Sequence, residues 1–188
     1  MRNDMKNKAF KLGIIVGRFQ TFHTGHKYMV DKACAVCDRV GILVGSSQES
    51  GTLKNPFTFE MRREMLKKVF GDRVRIEPLP DIGVGNNGKW GDYVLQNVQR
   101  YFGKAPDLLV SGKEERRVDW FDSAAGISVA ELYVPKTIDM SATRMRQFFI
   151  DDDRGQWQRY TPSELWEDYE AMRAAVLAAK DNLFTESI

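Results

Sequence analysis

The stretch that decides the fold is GRFQTFHTGH, residues 17–26. It directly follows an apolar run, Leu12–Val16, and leads into an amphipathic pattern that begins at His26. This order predicts a buried strand, a tight turn that contains glycine, and then the N-terminus of a helix. Backbone N–H groups and the positive end of the helix dipole then point at whatever lies above the turn, and an anion suits that position best. His23 and His26 are the two histidines of the chain, and both rings could reach the same anion.

An H-x-x-H pair taken alone is more often two satisfied surface histidines than a binding site. Here glycines flank the pair, Arg18 follows the first glycine and a strand precedes it, so a phosphate site is favoured. The spacing differs from the G-x-x-x-x-G-K-S/T of a P-loop, from G-x-G-x-x-G and from the H-E-x-x-H of a zinc protease. The pattern therefore predicts an anion site of another kind.

With these neighbours, the stretch resembles the G-x-F-x-P-x-H-x-G-H signature of the nucleotidylyltransferase superfamily. A second signature of that superfamily, I-S-S-T-x-x-R, is matched loosely by MSATRMR, residues 140–146. Thr21 stands where the family usually has proline, and Met140 and Ala142 depart from the second signature. We expect the threonine to loosen the turn without removing a phosphate contact.

Within this superfamily the chain is similar to the archaeal-type nicotinamide mononucleotide adenylyltransferases, from about Leu12 to Tyr160. The resemblance implies transfer of the adenylyl group of ATP to nicotinamide mononucleotide, which gives NAD and pyrophosphate. Nicotinate mononucleotide, phosphopantetheine and glycerol phosphate stay open as alternative acceptors, and so does a non-catalytic nucleotide sensor of the same fold. Trp90 and the stretch NPFT, residues 55–58, favour the nicotinamide acceptor.

Strands that alternate with helices predict an α/β fold, a parallel sheet with helices on both faces. The resemblance implies a Rossmann-like doubly wound sheet of five strands in the order 3-2-1-4-5, followed by C-terminal helices. The apolar stretches predict these strands at about residues 11–16, 39–44, 74–76, 107–110 and 127–134. Helical patterns fall at about residues 24–37, 58–70, 92–102 and 141–150, with a short helix assigned to 113–121.

The remaining segments complete the prediction. Residues 81–91 are rich in glycine and asparagine and predict a loop that holds Trp90. Residues 161–164 read as a capping box before a last helix, which is expected to pack on the first. We expect one domain over residues 1–188, with a core of about 11–150 and a C-terminal helical extension of about 151–188.

Composition excludes several classes of protein. A net charge of +2 is no argument for nucleic-acid binding, and no apolar run is long enough to span a bilayer. Residues 1–8 are polar and charged with no apolar segment behind them, so no signal peptide is evident and a cytoplasmic location is expected. Cys34 and Cys37 have no second cysteine pair, so two buried thiols are favoured over a zinc site.

The implied reaction is attack of a mononucleotide phosphate on the α-phosphorus of ATP. The nucleophile is already ionised, so catalysis consists of positioning and charge stabilisation, without a general base. The resemblance places four residues in catalysis: His23, His26, Arg18 and Arg146. It assigns the binding of ATP to these four together with Gly17, Phe19, Ser111, Gly112, Ser141 and Thr143.

The acceptor is assigned to the residues Ser46, Lys54, Asp81 and Trp90. Trp90 is read as a stacking platform, with a core tryptophan as the alternative, and Asp81 as a hydrogen-bond partner, with simple turn chemistry as the alternative. No carboxylate cluster is evident, so no protein metal ligand is assigned and Mg²⁺ is expected to be held mainly by the ATP phosphates. The expected partners are ATP and a mononucleotide, with no nucleic acid and no membrane, and the resemblance implies an assembly of several copies.

Overall fold

The computed structural model describes residues 8–85, 88–112, 120–121 and 126–185. Its centre is a parallel sheet whose spatial order is β3-β2-β1-β4-β5, which confirms the predicted order. The five strands are β1 (Phe10–Gly17), β2 (Cys37–Gly45), β3 (Arg75–Leu79), β4 (Leu108–Ser111) and β5 (Ala130–Tyr133). The helices are α1 (Thr24–Val36), α2 (Phe59–Phe70), α3 (Gly88–Phe102), α4 (Ala142–Ile150), α5 (Arg154–Arg159) and α6 (Tyr169–Thr185).

Apolar side chains cover the sheet on both faces, which explains why its strands read as nearly continuous apolar runs. One core contains residues of α1, α2, α4 and α6, such as Val30, Leu66, Phe149 and Val176. The other core lies between the opposite face of the sheet and α3. Helices therefore lie on both faces, as the alternation of strands and helices predicted.

The fifth strand is shorter than its apolar pattern indicated. The sequence predicts a strand over 127–134, whereas β5 covers only Ala130–Tyr133. It is an edge strand, and its one partner in the sheet, β4, is itself four residues long. Just beyond β5 the Val134 N–H still donates to the Ser111 carbonyl at 2.8 Å, so the pairing ends where β4 ends.

The glycine-rich surroundings of Trp90 predict a loop, but the residue lies inside a helix. Helix α3 begins at Gly88, which places Trp90 in its first turn. Gly91 is buried, and a Cβ at this position would overlap the backbone of Trp120. The glycine therefore serves close packing of α3. The predicted short helix at 113–121 lies outside the described residues, except for Trp120 and Phe121.

The C-terminal region corrects two expectations. The predicted capping box at 161–164 is wrong, because the buried hydroxyl of Thr161 has no hydrogen-bond partner among the described residues. A 3-10 helix, Ser163–Asp168, precedes α6 instead. Helix α6 packs mainly against α4 and not, as expected, mainly against α1. An aromatic cluster joins them, with Tyr169 at 5.4 Å from Phe149 and 5.0 Å from Trp157 between ring centroids.

The two cysteines are free, but they do not share one buried helix face as expected. Cys34 lies on α1 and is half-buried, whereas Cys37 is buried and begins β2. Burial raises the pKa of the Cys37 thiol to about 11, so this side chain is an unreactive part of the core. Over the described residues, the helices lack the length and apolar content needed to cross a bilayer.

Candidate active site

A cleft of about 770 Å³ opens at the carboxyl ends of the parallel strands, the edge where ligands of such sheets bind. Its lining comes from the turn after β1, the start of α1, the ends of β2 and β4, the segment after β3 and the connection from β5 to α4. Ten of the residues that the sequence assigned to substrates line this cleft: Gly17, Arg18, Phe19, His23, His26, Ser46, Asp81, Trp90, Ser111 and Gly112. The others, Lys54, Ser141, Thr143 and Arg146, do not line it.

His23 and His26 form a stacked pair, with ring centroids 3.8 Å apart. His23 is the N-cap residue of α1, yet its side chain makes no capping hydrogen bond. The Nδ1 atoms of both rings are buried and have no hydrogen-bond partner among the described residues. A Cβ at position 25 would lie 3.0 Å from the His23 ring, so Gly25 leaves space for the stack. The arrangement holds two unsatisfied imidazoles at the start of a helix.

Burial makes both rings weak bases. It lowers the pKa of His23 to about 4, and the nearby charge of Lys136 acts in the same direction. Burial also lowers the pKa of His26 well below its usual value, with a smaller contribution from His23. Both imidazoles are therefore neutral near pH 7, and an anion bound beside the stacked pair would favour their protonated forms.

The first prediction concerns the pH dependence of folding. A buried histidine whose pKa is depressed in the folded state stabilises the protein above the unfolded pKa and loses this contribution as the pH falls. For His23 that loss falls between about pH 6.5 and pH 4. Between pH 7 and pH 5 the wild type should lose about 1–2 kcal/mol more free energy of unfolding than His23→Gln. Urea denaturation at the two pH values measures this, and equal losses in both proteins would contradict it.

Arg146 is anchored behind the cleft and points toward the turn after β1. Its Nη1 donates to the carbonyl of Gln20 at 2.7 Å, and its Nη2 donates to the hydroxyl of Thr143 at 3.2 Å. Burial lowers its pKa, and the charge of Arg18 adds to this effect. The fold therefore brings together two like charges that are far apart in sequence. Ser141 caps α4 by accepting from the Arg144 N–H at 3.2 Å, which is the structural role considered for it.

The turn that carries the histidine motif is tied to the segment before α2. The side-chain amide of Gln20 donates to the Phe57 carbonyl at 2.8 Å, and its oxygen accepts from the Phe57 N–H at 2.9 Å. Thr21, which replaces the family's proline, is buried beside this contact. The conformation of the turn is thus supported by long-range hydrogen bonds as well as by its own sequence.

Asp81 and Ser46 form the polar side of the cleft at the ends of β2 and β3. The Ser46 hydroxyl donates to Asp81 Oδ2 at 2.6 Å, and the Asp81 N–H donates to Gln48 Oε1 at 3.0 Å. Trp90 lines the same cleft, is half-buried and lies 5.5 Å from Tyr93 between ring centroids. Its indole therefore packs on the α3 core and also borders the cleft, and its role as a stacking platform stays a prediction.

Lys54 differs from Ser111 and Gly112 in its position relative to the cleft. Lys54 is exposed and lies outside the cleft lining, although its neighbour Asn55 accepts a 3.5 Å hydrogen bond from Arg18. Ser111 and Gly112 end β4 inside the lining, and Ser111 is buried. The strand end thus reaches the cleft, whereas the lysine does not.

Sequence reasoning missed Arg62, which is fully buried on α2. Its guanidinium donates to the carbonyls of Arg18 at 3.0 Å, Gly45 at 2.8 Å, Ser46 at 3.0 Å and Thr58 at 3.1 Å. Burial lowers its pKa to about 10, so the group remains a cation near pH 7. It joins the carboxyl ends of β1 and β2 to the start of α2. No local pattern signals this role, because an exposed helix arginine looks the same in sequence.

The backbone held by Arg62 is unusual. Phe19 and Ser46 have φ values of 52° and 47°, a left-handed conformation that residues other than glycine rarely adopt. Arg62 donates to the Ser46 carbonyl and to the carbonyls just before both residues. These hydrogen bonds offset the cost of a conformation that places both residues in the cleft.

The second prediction follows from these contacts. Arg62→Met leaves several buried carbonyls without a donor and should lower the free energy of unfolding by roughly 2–4 kcal/mol. Arg63→Met is the matched control, since Arg63 is the exposed neighbour on the same helix and should cost about 0.5 kcal/mol or less. Urea denaturation of the two variants compares them. Similar losses would show that the four hydrogen bonds contribute little.

A parallel α/β sheet with a cleft at the carboxyl ends of its strands is the arrangement typical of nucleotide-binding proteins. The chain belongs to the cytidylyltransferase-like family, whose model matches residues 14–148. It is 32% identical over 163 residues to the nicotinamide-nucleotide adenylyltransferase of Thermococcus kodakarensis, a match that covers 84% of this chain and 81% of that protein. It is 31% identical over 170 residues to the protein of the same name from Pyrococcus furiosus, covering 87% of this chain and 85% of the relative.

Solved structures show the same fold. A bifunctional NMN adenylyltransferase/ADP ribose pyrophosphatase from Francisella tularensis, complexed with AMP and a manganese ion, superposes with a TM-score of 0.73 at 22% identity. The match covers 94% of this chain but 54% of that protein, so the chain spans about half its length. Together with the family match, the sequence relatives confirm the resemblance to the archaeal-type enzymes that the two signatures indicated.

Proposed function

We propose that this protein transfers the adenylyl group of ATP to nicotinamide mononucleotide, giving NAD and pyrophosphate. The observation that carries the proposal is the stacked pair of His23 and His26 at the start of α1. Both rings are neutral, and their Nδ1 atoms have no hydrogen-bond partner among the described residues. Arg18 lines the same cleft. The similarity to relatives named nicotinamide-nucleotide adenylyltransferase supports the choice of reaction.

The proposed chemistry needs no covalent intermediate. An oxygen of the mononucleotide phosphate attacks the α-phosphorus of ATP, and the bond from that phosphorus to the bridging oxygen breaks. Pyrophosphate leaves with the electron pair, and no proton has to move. His23, His26 and Arg18 would hold the phosphates and stabilise the charge that develops on them. Arg146 would act from behind the turn and reach the β- and γ-phosphates after a side-chain movement from the Gln20 carbonyl.

The remaining residues are assigned to ATP or to the acceptor by where they lie along the cleft. Gly17 and Phe19 border the phosphate end of the cleft, and Ser111 and Gly112 border the end of β4, where adenine would lie. Ser141 and Thr143 would orient the start of α4 behind the phosphates. Asp81, Ser46 and Trp90 line the cleft where the acceptor would bind. Lys54 is the weakest assignment, because it would have to enter the cleft from outside.

We propose Mg²⁺ as the accompanying metal. Among the described residues no group of three or more histidine, cysteine, aspartate or glutamate side chains is positioned to hold a metal ion. The cleft lining contains one carboxylate, Asp81, and the Ser46 hydroxyl already bonds to it. This donor set fits a cation carried mainly by the ATP phosphates and water, which would neutralise part of their charge. The Francisella structure contains AMP and a manganese ion.

We also propose that residues 11–150 and the helices of 151–188 form one domain. The dense packing of α4 against α6 supports this. Size-exclusion chromatography with light scattering would test the assembly of several copies that the resemblance implies.

One assay separates the proposed function from its alternatives. The purified protein is incubated with ATP, Mg²⁺ and, in turn, nicotinamide mononucleotide, nicotinate mononucleotide, phosphopantetheine or glycerol phosphate, and pyrophosphate release is followed. Rapid release with nicotinamide mononucleotide, with NAD as the product, is expected. If pyrophosphate were released only with another acceptor, that acceptor would replace nicotinamide mononucleotide in the proposal. Binding of ATP without pyrophosphate release would favour the non-catalytic nucleotide sensor.

The third prediction tests the histidine pair. Removing a positioned donor to a developing charge typically costs on the order of 10²–10³ in kcat, so His26→Ala should lose about this much. Because the ring packs on Phe19 and Phe22, His26→Asn is made alongside to limit the cavity. Circular dichroism and mononucleotide binding should remain close to wild type. Near-normal turnover in both variants would remove His26 from the mechanism.

The fourth prediction tests the acceptor end. Trp90→Ala should weaken nicotinamide mononucleotide by about 1 kcal/mol, or roughly fivefold in Kd, because a tryptophan face attracts a cationic pyridinium ring. Trp90→Phe should retain part of the affinity, and ATP affinity should stay nearly unchanged. Trp166→Ala is the matched control, since Trp166 is 40% exposed and lies outside the cleft. Equal loss of both substrates in Trp90→Ala, with early melting, would identify a core residue.

A further inference from the structure

Lys136 is a cation in the cleft to which neither sequence signature assigns a role. Among the described residues that line the cleft, two carry a permanent positive charge, Arg18 and Lys136. Lys136 lies in the connection between β5 and α4 and is close enough to His23 for its charge to lower the pKa of that ring. Lys54, the lysine that the resemblance assigned to substrate, lies outside the lining.

The ammonium of Lys136 is held only weakly in the absence of a ligand. Among the described residues its ion-pair partner is Asp139 Oδ1, three residues later, at 3.4 Å. The side chain of Asp139 is 98% exposed and that of Lys136 is 54% exposed, so water screens the pair. Such surface pairs contribute little to stability. The ammonium can therefore exchange this carboxylate for a more highly charged anion in the cleft.

We propose that Lys136 is a further catalytic residue that binds the triphosphate of ATP from the β5 side of the cleft. This inference rests on the proposed function. Arg18 reaches the same anion from the end of β1, and the histidine pair reaches it from the start of α1. The triphosphate would thus be held from three elements, and Lys136 would occupy the side that none of the assigned residues covers.

The chemical role of Lys136 follows from the charge that moves in the reaction. When the bond from the α-phosphorus to the bridging oxygen breaks, that oxygen keeps the electron pair and the leaving pyrophosphate gains negative charge. A cation beside this group therefore interacts more strongly with the transition state than with ATP in the ground state. Lys136 should therefore affect both the affinity for ATP and kcat, and leave the KM for the mononucleotide unchanged.

The test uses inorganic tripolyphosphate as a probe, because its binding does not depend on the acceptor. Calorimetry compares wild type, Lys136→Met, Lys136→Gln and Lys136→Arg. Affinity should fall roughly ten- to hundredfold in Lys136→Met and Lys136→Gln, the loss typical of a hydrogen bond to a charged group, and stay within a few-fold in Lys136→Arg. Lys68→Met is the matched control, a 47% exposed lysine paired with Asp168 outside the cleft, and it should bind like wild type.

Two further measurements accompany the binding data. In Lys136→Met the KM for ATP should rise and kcat should fall, and NMR titration should show a higher pKa for His23. Unchanged tripolyphosphate affinity in both neutral variants would overturn the proposal, and so would an equal loss in Lys68→Met, because affinity would then follow net charge alone. A wild type that binds tripolyphosphate through Lys136 but releases no pyrophosphate with the mononucleotide would refute the proposed function and leave the anion site in place.

Discussion

The buried guanidinium of Arg62 is the contact on which the geometry of the cleft depends. It donates to four backbone carbonyls that belong to the end of β1, the end of β2 and the start of α2. A buried charge of this kind is tolerated only when its N–H donors have acceptors. If the three segments moved apart, the guanidinium would lose its carbonyl acceptors and remain as an uncompensated buried cation. The same carbonyls adjoin Phe19 and Ser46, whose left-handed backbone directs both residues into the cleft. Stability of the sheet edge and the shape of the site are therefore coupled through one side chain.

The electrostatics of the cleft follow from a second constraint, the shortage of compensating carboxylates. Asp81 is the carboxylate in the described lining, and it already accepts a hydrogen bond from the Ser46 hydroxyl. Burial keeps the two imidazoles neutral, and the charge of Lys136 acts on His23 in the same direction. A highly charged anion would relieve this repulsion, satisfy the orphaned ring nitrogens and draw Lys136 away from Asp139. The site is thus arranged for a polyphosphate before any ligand arrives.

The parts of the fold that could be predicted are those where one local pattern outweighs its alternatives. The apolar runs of β1 and β2 are long enough to require burial on both faces, and both strands lie where the sequence indicated. Met172, Val176 and Ala179 recur at helical spacing in the sequence, and this face of α6 is buried. Prediction was poorer where a pattern was short. The glycines near Trp90 resemble a loop, but Gly91 permits close packing of α3. At the apparent capping box of 161–164, the Thr161 hydroxyl has no partner in the described part of the chain.

The sequence by itself determined the α/β class, the strand order expected from the resemblance, and the placement of His23 and His26 at a helix start. The class and the helix start depend on residues that are neighbours in the chain, so a local pattern carries that information, whereas the strand order came from the resemblance. Only the tertiary structure decided which charges share the cleft. Arg62 and Lys136 look alike in sequence, as a helix cation and a loop cation with no special neighbours, yet the fold buries the first and opens the second to the cleft. Arg146 is singled out by the second signature, but only the fold shows that it is held by the Gln20 carbonyl. The reason is that these positions are set by contacts between segments far apart in the chain, and no local pattern records such contacts.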